Sequence, residues 1–200
     1  HNNLPAPHHP LTHPASPHAA MLRTAIRAPL TQLARAQQAR AYAAVGDSLP
    51  SLVAGAKLKL ASGEDVDVAD YFKNKKVVVF GVPGAYTPVC TSKHVPSYVQ
   101  HADALKAKGV DKIACLSVND HFVMRNWAES LNASGKVDML CDWNGDFATK
   151  AALFIDAPGL GRRSSRWAMV VDNGKITALN VEPKAGEMVN SDAESVLKLL

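Results

Sequence analysis

The chain has 200 residues, 47% of them hydrophobic, and a formal charge of +4, which is enough for one ordinary domain with a sizeable core. The excess charge lies in a leader: residues 21–42 hold Arg23, Arg27, Arg35 and Arg40 and no acid, and without them 18 basic residues face 18 acidic ones. That balance gives no reason to propose a nucleic-acid partner, no apolar run is long enough for a membrane-spanning helix, and three cysteines without a secretory signal point to a reducing compartment.

Residues 1–20 contain five of the eight histidines and five of the twelve prolines, with no Lys, Arg, Asp or Glu. Such a stretch cannot bury a core, so it reads as a disordered or non-native leader ahead of the first methionine, Met21; a histidine-rich metal site is the alternative. Residues 21–42 combine the four arginines with many alanines, Thr24 and Thr31, the composition of an organellar transit peptide. Leu22, Ile26, Leu30 and Leu33 recur at helical spacing, although Pro29 argues against an ordinary amphipathic helix. Arg40-Ala41-Tyr42 before Ala43 resembles a mitochondrial processing site. It predicts a mature domain over 43–200 in the mitochondrial matrix, with the chloroplast stroma as the alternative.

From there the elements follow in order. Residues 58–60 and 66–68 flank Ser62-Gly63-Glu64-Asp65 as an opening hairpin, and 69–72 add a helical turn. Residues 77–81, Val-Val-Val-Phe-Gly, read as a buried strand. Pro83, Gly84 and Pro88 then turn the chain into a helix over 91–108, with Val95, Tyr98, Val99, Ala102 and Leu105 on one face. Pro96 predicts a kink or short break in that helix, and Gly109 its end. Residues 113–118 form a second buried strand, after which Asn119 and Asp120 can cap a helix burying Met124, Trp127, Ala128 and Leu131. A strand over 137–140 and a short helix over 147–153 come next. Residues 166–171 and 175–181 pair across Asn173-Gly174, and Ser191 with Glu194 reads as the capping box of a last helix. A βαβα half followed by a hairpin and a helix is an α/β, thioredoxin-like arrangement with an N-terminal β-hairpin extension.

Cys90 stands where the strand over 77–81 has turned into a helix. Unpaired N–H groups and the helix dipole there favour a thiolate over a thiol, and Thr87, three residues upstream, can aim a hydroxyl at the sulfur. The plain alternative is a small buried hydrophobe. A Cys-x-x-Cys motif is excluded, because Ser92 and Lys93 follow.

Pro83-x-x-x-Thr87-x-x-Cys90, with His94 and Pro96 behind it, resembles the active-site motif of the peroxiredoxin family, in its type II or atypical two-cysteine branch. The likeness extends over about 45–200. It implies a peroxiredoxin variant of the thioredoxin-like fold, and Cys90 as a peroxidatic nucleophile that attacks hydrogen peroxide or an alkyl hydroperoxide and becomes a sulfenic acid. It also implies that Arg166, which precedes Trp167 and would by itself read as a surface charge, is the catalytic arginine and that Pro83 shields the thiolate; Gly84 and His94 would support the site, a structural hydrogen-bonding role being the alternative for His94. Arg162 and Arg163 read as solvated loop charges, although Arg163 could support the site.

For any cysteine, lowering the pKa from about 8.5 to about 6 raises the thiolate fraction at neutral pH about 30-fold, or about 2 kcal/mol, so positioning groups must supply the rest. The plant-like pattern places a resolving cysteine 25 residues after the peroxidatic one, which fits Cys115; no cysteine follows Cys141, which is assigned to packing. The alternative for Cys115 is a core residue, with an external thiol resolving the intermediate. Thioredoxin, glutaredoxin or glutathione would be the final reductant, and a monomer or weak homodimer the assembly. No metal, haem or flavin cofactor is implied. The competing reading is a non-enzymatic redox sensor or thiol relay on the same fold.

Overall fold

The computed structural model describes residues 42–200, so the leader over 1–20 and nearly all of the transit segment over 21–42 lie outside the described residues. Its central sheet has seven strands in the order β2-β1-β5-β4-β3-β8-β9, where β1 is Leu58–Leu60, β2 Asp65–Val66, β3 Lys76–Val82, β4 Lys112–Ser117, β5 Asp138–Cys141, β8 Trp167–Asp172 and β9 Lys175–Val181. β3, β4 and β5 run parallel; the remaining pairs are antiparallel.

Alternation along the central strands divides the core in two. Val78, Phe80 and Val82 of β3, Ile113 and Cys115 of β4, and Met139 and Cys141 of β5 join one apolar cluster; Val77, Val79, Ala114, Leu116 and Leu140 join the other. The first cluster is covered by α3 (Val95–Gln100), α4 (Ala102–Ala107), α5 (His121–Ser130) and α7 (Ala193–Leu197), and it contains all three cysteines. The second is covered by α1 (Leu49–Leu52), α2 (Val68–Phe72) and α6 (Asp146–Lys150).

Gly81 lies opposite Trp167 in the β3–β8 register, and a side chain there would collide with the indole and come within 2.7 Å of Ser164 Oγ. The close approach of β3 to this tryptophan therefore requires a glycine. Gly109, at φ +81°, ends α4 as expected, with Gly109 N–H bonded to Lys106 O and Val110 N–H to Leu105 O in a Schellman turn.

Several sequence expectations need correction. The break near Pro96 is a π-helix over Cys90–His94 that ends just before the proline, closed by Val95 N–H on Cys90 O; a second interruption falls at His101. The final helix is capped by Asp192, whose carboxylate accepts from Ser195 N–H and Oγ, whereas Ser191 Oγ donates to Glu182. Asp120 alone caps α5, through Val123 N–H. Residues 154–164, unassigned from the sequence, form a hairpin of β6 (Phe154–Ala157) and β7 (Gly161–Ser164). Arg162 and Arg163 are therefore strand residues, and Arg163 is half-buried, donating to Leu160 O and Val118 O.

Candidate active site

β3 delivers the chain to Pro83 and Gly84, both buried, and the loop is held in shape by its own polar atoms. Thr87 Oγ1 donates to Gly84 O at 2.8 Å, and Ala85 N–H donates to Asn119 Oδ1 at 3.0 Å, which also receives Ser117 Oγ at 2.7 Å. Asn119 thus clamps this loop rather than capping α5. An added Cβ on Gly84 would lie 3.3 Å from Arg163 Nη1 and 3.4 Å from Thr87 Cγ2, so a glycine lets the arginine and the threonine close over the loop. Tyr86, half-exposed at the tip, takes φ +59°.

Cys90 opens the π-helix and is fully buried. Its sulfur faces Arg166, 76 residues away in sequence, whose Nη2 donates to Cys90 Sγ at 3.5 Å. The guanidinium is only 2% exposed and has no freedom to leave: Nε and Nη2 donate to Ala185 O at 2.9 and 2.7 Å, and Nη1 to His94 Nδ1 at 3.0 Å. An arginine only donates, so His94 Nδ1 is the acceptor and the imidazole proton sits on Nε2, where it donates to Ser191 O at 2.9 Å. Burial pushes His94 down to about 4, with the Arg166 charge adding to the effect and the Ser191 carbonyl opposing it. Tyr98 Oη donates to the same carbonyl at 2.7 Å, and its ring stacks on Phe80 at 3.8 Å.

The structure therefore brings Cys90, Arg166 and His94 into one bonded chain. Thr87 departs from expectation: its hydroxyl hydrogen goes to Gly84 O, leaving the oxygen's lone pairs as its free valence. Cys115 lies in the middle of β4, in register with Phe80. Burial pushes its thiol well above the ordinary range; Cys90 and Cys141 push it further, and Arg166 opposes them. Cys141 is likewise pushed up to about 12 by burial. All three thiols are free.

Tyr98, Ala185, Ser191 and Glu182 were missed from the sequence. Glu182 collects Val189, Asn190 and Ser191 N–H and Ser191 Oγ on one oxygen. No local motif marks their part in the site: Tyr98, Ala185 and Ser191 meet partners distant along the chain, and Glu182 gathers N–H groups seven to nine residues on.

The redoxin family model matches residues 44–197. Among relatives, the chain is 44% identical over 163 residues to "Peroxiredoxin-2F, mitochondrial" of Oryza sativa subsp. japonica, covering 76% of this chain and 82% of that protein. It is 42% identical over 161 residues to "Peroxiredoxin-2E, chloroplastic" of Arabidopsis thaliana, covering 78% and 68%. Among solved structures, reduced Prx3 of Vibrio vulnificus in complex with H2O2 superposes with a TM-score of 0.72 at 45% identity, covering 78% of this chain and 94% of that one.

Proposed function

The chain belongs to the peroxiredoxin family and is a thiol-dependent peroxidase, and from that premise we propose that Cys90 is its peroxidatic nucleophile and Arg166 its principal charge-stabilising group. The observation that carries the assignment is the 3.5 Å approach of Arg166 Nη2 to Cys90 Sγ, with the guanidinium pinned by Ala185 O and His94.

The Cys90 thiolate attacks one oxygen of a hydroperoxide, a sulfur–oxygen bond forms and the O–O bond breaks. The electron pair of that bond goes to the departing oxygen, which leaves as water or an alcohol once it has the proton the thiol gave up. Arg166 stabilises the charge passing from sulfur to the departing oxygen without reorganising, because every N–H it uses is already aimed. Thr87 Oγ1, its hydrogen spent on Gly84 O, presents lone pairs and accepts the peroxide O–H, which orients the substrate. Pro83, buried beside the loop, keeps water from the thiolate, and Gly84 allows the loop its close packing. His94 holds Arg166 in place as a neutral acceptor.

The sulfenic acid then condenses with a thiol, releasing water and forming a disulfide. That thiol is Cys115 or an external one; thioredoxin, glutaredoxin or glutathione supplies the electrons that restore Cys90. The 25-residue spacing supports Cys115, and its burial requires the site to open first. The protein acts as a monomer or weak homodimer in an organelle, the mitochondrial matrix or, as the alternative, the chloroplast stroma. Relatives named for both compartments support an organellar address. Ala43 supports processing just before it, being buried with its N–H on Ala151 O while Tyr42 is 71% exposed.

Peroxide consumption by purified Cys90→Ser protein tests the central assignment. Turnover should vanish; rapid peroxide reduction without this sulfur would reject it.

A further inference from the structure

Both carbonyls that hold Arg166 and His94 in place come from one strap, residues 183–192, between β9 and α7. Ala185 O receives two N–H bonds from Arg166, and Ser191 O receives His94 Nε2 and Tyr98 Oη. What shapes the far end of this strap is Glu182. Its backbone N–H donates to Arg166 O at 2.9 Å, so it extends the β8–β9 ladder directly opposite the arginine. Its Oε1 receives Val189 N–H at 2.8 Å, Asn190 N–H at 2.9 Å, Ser191 N–H at 2.8 Å and Ser191 Oγ at 2.7 Å. Asn180 Nδ2 adds a bond to Asn190 O at 2.7 Å.

We propose that Glu182 is a positioning residue of the peroxidase reaction: by gathering the N–H groups of residues 189–191 it holds the Ser191 carbonyl where that carbonyl, together with the Arg166 N–H on Nδ1, fixes the His94 tautomer, and through His94 the Arg166 guanidinium against Cys90. The inference rests on the assignment of Cys90 and Arg166 above.

A carboxylate only 5% exposed is an expensive way to tie down a loop unless its donors are many and its charge is needed. Here three successive N–H groups converge on one oxygen as in an anion-binding nest. Burial raises the carboxyl, but bonds from Asn190, Ser191 and Val189 outweigh it and lower the group overall, so it is anionic at neutral pH. Ser191 is gripped by its N–H and hydroxyl, which fixes the peptide that leads into its carbonyl. Were that carbonyl to turn, His94 would lose the acceptor that keeps its proton on Nε2. The Nδ1–H tautomer would then confront an arginine N–H, donor against donor.

The test measures the second-order rate of Cys90 oxidation by hydrogen peroxide in Glu182→Gln and Glu182→Ala, each in the wild-type and His94→Ala backgrounds. Two-bond 1H–15N spectra report the His94 tautomer. Glu182→Gln keeps one acceptor oxygen and should slow oxidation about fivefold, and Glu182→Ala about 30-fold. In the His94→Ala background each further loss should shrink to less than about twofold, and the pure Nε2–H signature should give way to a tautomer mixture in the Glu182 variants. If Glu182→Ala does not fold, Glu182→Gln decides by the same readings. Equal losses in both backgrounds, or a wild-type rate with an unchanged tautomer, would overturn the proposal. Those outcomes leave Cys90 as the nucleophile; only peroxide reduction by Cys90→Ser overturns that.

Discussion

Cys90 and Cys115 belong to one apolar cluster and are equally inaccessible, each 0% exposed, yet their surroundings differ completely. Cys90 lies at the start of a π-helix with an arginine donor at 3.5 Å. Cys115 lies mid-strand, its thiol makes no hydrogen bond among the described residues, and that thiol is pushed well up by burial. Burial alone thus makes a cysteine inert. On the proposal that Cys90 is the nucleophile, its reactivity comes from the Arg166 guanidinium just ahead of β8, braced by the strap over 183–192, and from a π-turn in place of the regular helix ladder.

Removing the polar side of this contrast should have the largest effect. Arg166→Ala should lower the second-order rate with peroxide by at least about a hundredfold, about 3 kcal/mol, while leaving a cooperatively folded protein. Stopped-flow oxidation and a thermal melt check the two halves. A loss below about tenfold would mean that the charge on the departing oxygen is stabilised elsewhere.

The next effect sharpens the comparison through pH. His94 is held at about 4 in the folded chain against an ordinary 6.5. Below pH 6.5 the unfolded chain takes up a proton that the folded chain refuses, so stability falls as pH drops towards 4, and above 6.5 this group contributes nothing. Between pH 7 and pH 5 the loss is about 2 kcal/mol. Urea unfolding of wild type and His94→Asn at both pH values measures it: wild type should lose about 2 kcal/mol more. Equal losses would show that His94 is not held neutral.

Legibility in the sequence follows the same division. β3, β4, β8 and β9 were readable because β-branched runs and an Asn-Gly turn are local signals, and Cys90 because a loop motif surrounds it. The β6–β7 hairpin was not. Its strands, Phe-Ile-Asp-Ala and Gly-Arg-Arg-Ser, lack apolar alternation, and only Pro158-Gly159 between them signalled a turn. The support of the site was equally hidden: His94 meets Ser191 across 97 residues and Tyr98 meets it across 93, both through a backbone carbonyl that any residue type could supply. Pro96 did announce an irregularity, but a proline cannot say whether the chain will kink or widen into a π-turn.

The smallest effect on the first step, and the most revealing for the cycle, concerns Cys115. If the polar partners of Cys90 account for its reactivity, Cys115→Ala and Cys115→Ser should oxidise at Cys90 within about twofold of the wild-type rate; the serine variant also loses about 1–3 kcal/mol of stability for an unpaired hydroxyl in the cluster. Turnover should behave differently. A disulfide needs Cα atoms within about 7 Å and correctly aimed Cβ atoms; both thiols are buried and free in the structure, so pairing a cysteine on the π-helix with one in the middle of β4 calls for movement. The loop from Pro83 and the π-helix are the parts to open, since loops and helix ends unfold at the lowest free-energy cost and Cys90 has only one turn to unwind. Thioredoxin-linked turnover should therefore slow in both variants and sulfenic acid persist, while oxidised wild type yields a Cys90–Cys115 peptide pair on mapping. A dominant Cys90–Cys141 pair would move the resolving role to β5. Undiminished turnover by both Cys115 variants would assign resolution to an external thiol, and Cys115 would then be what its surroundings in β4 make it in the closed state, a packing residue.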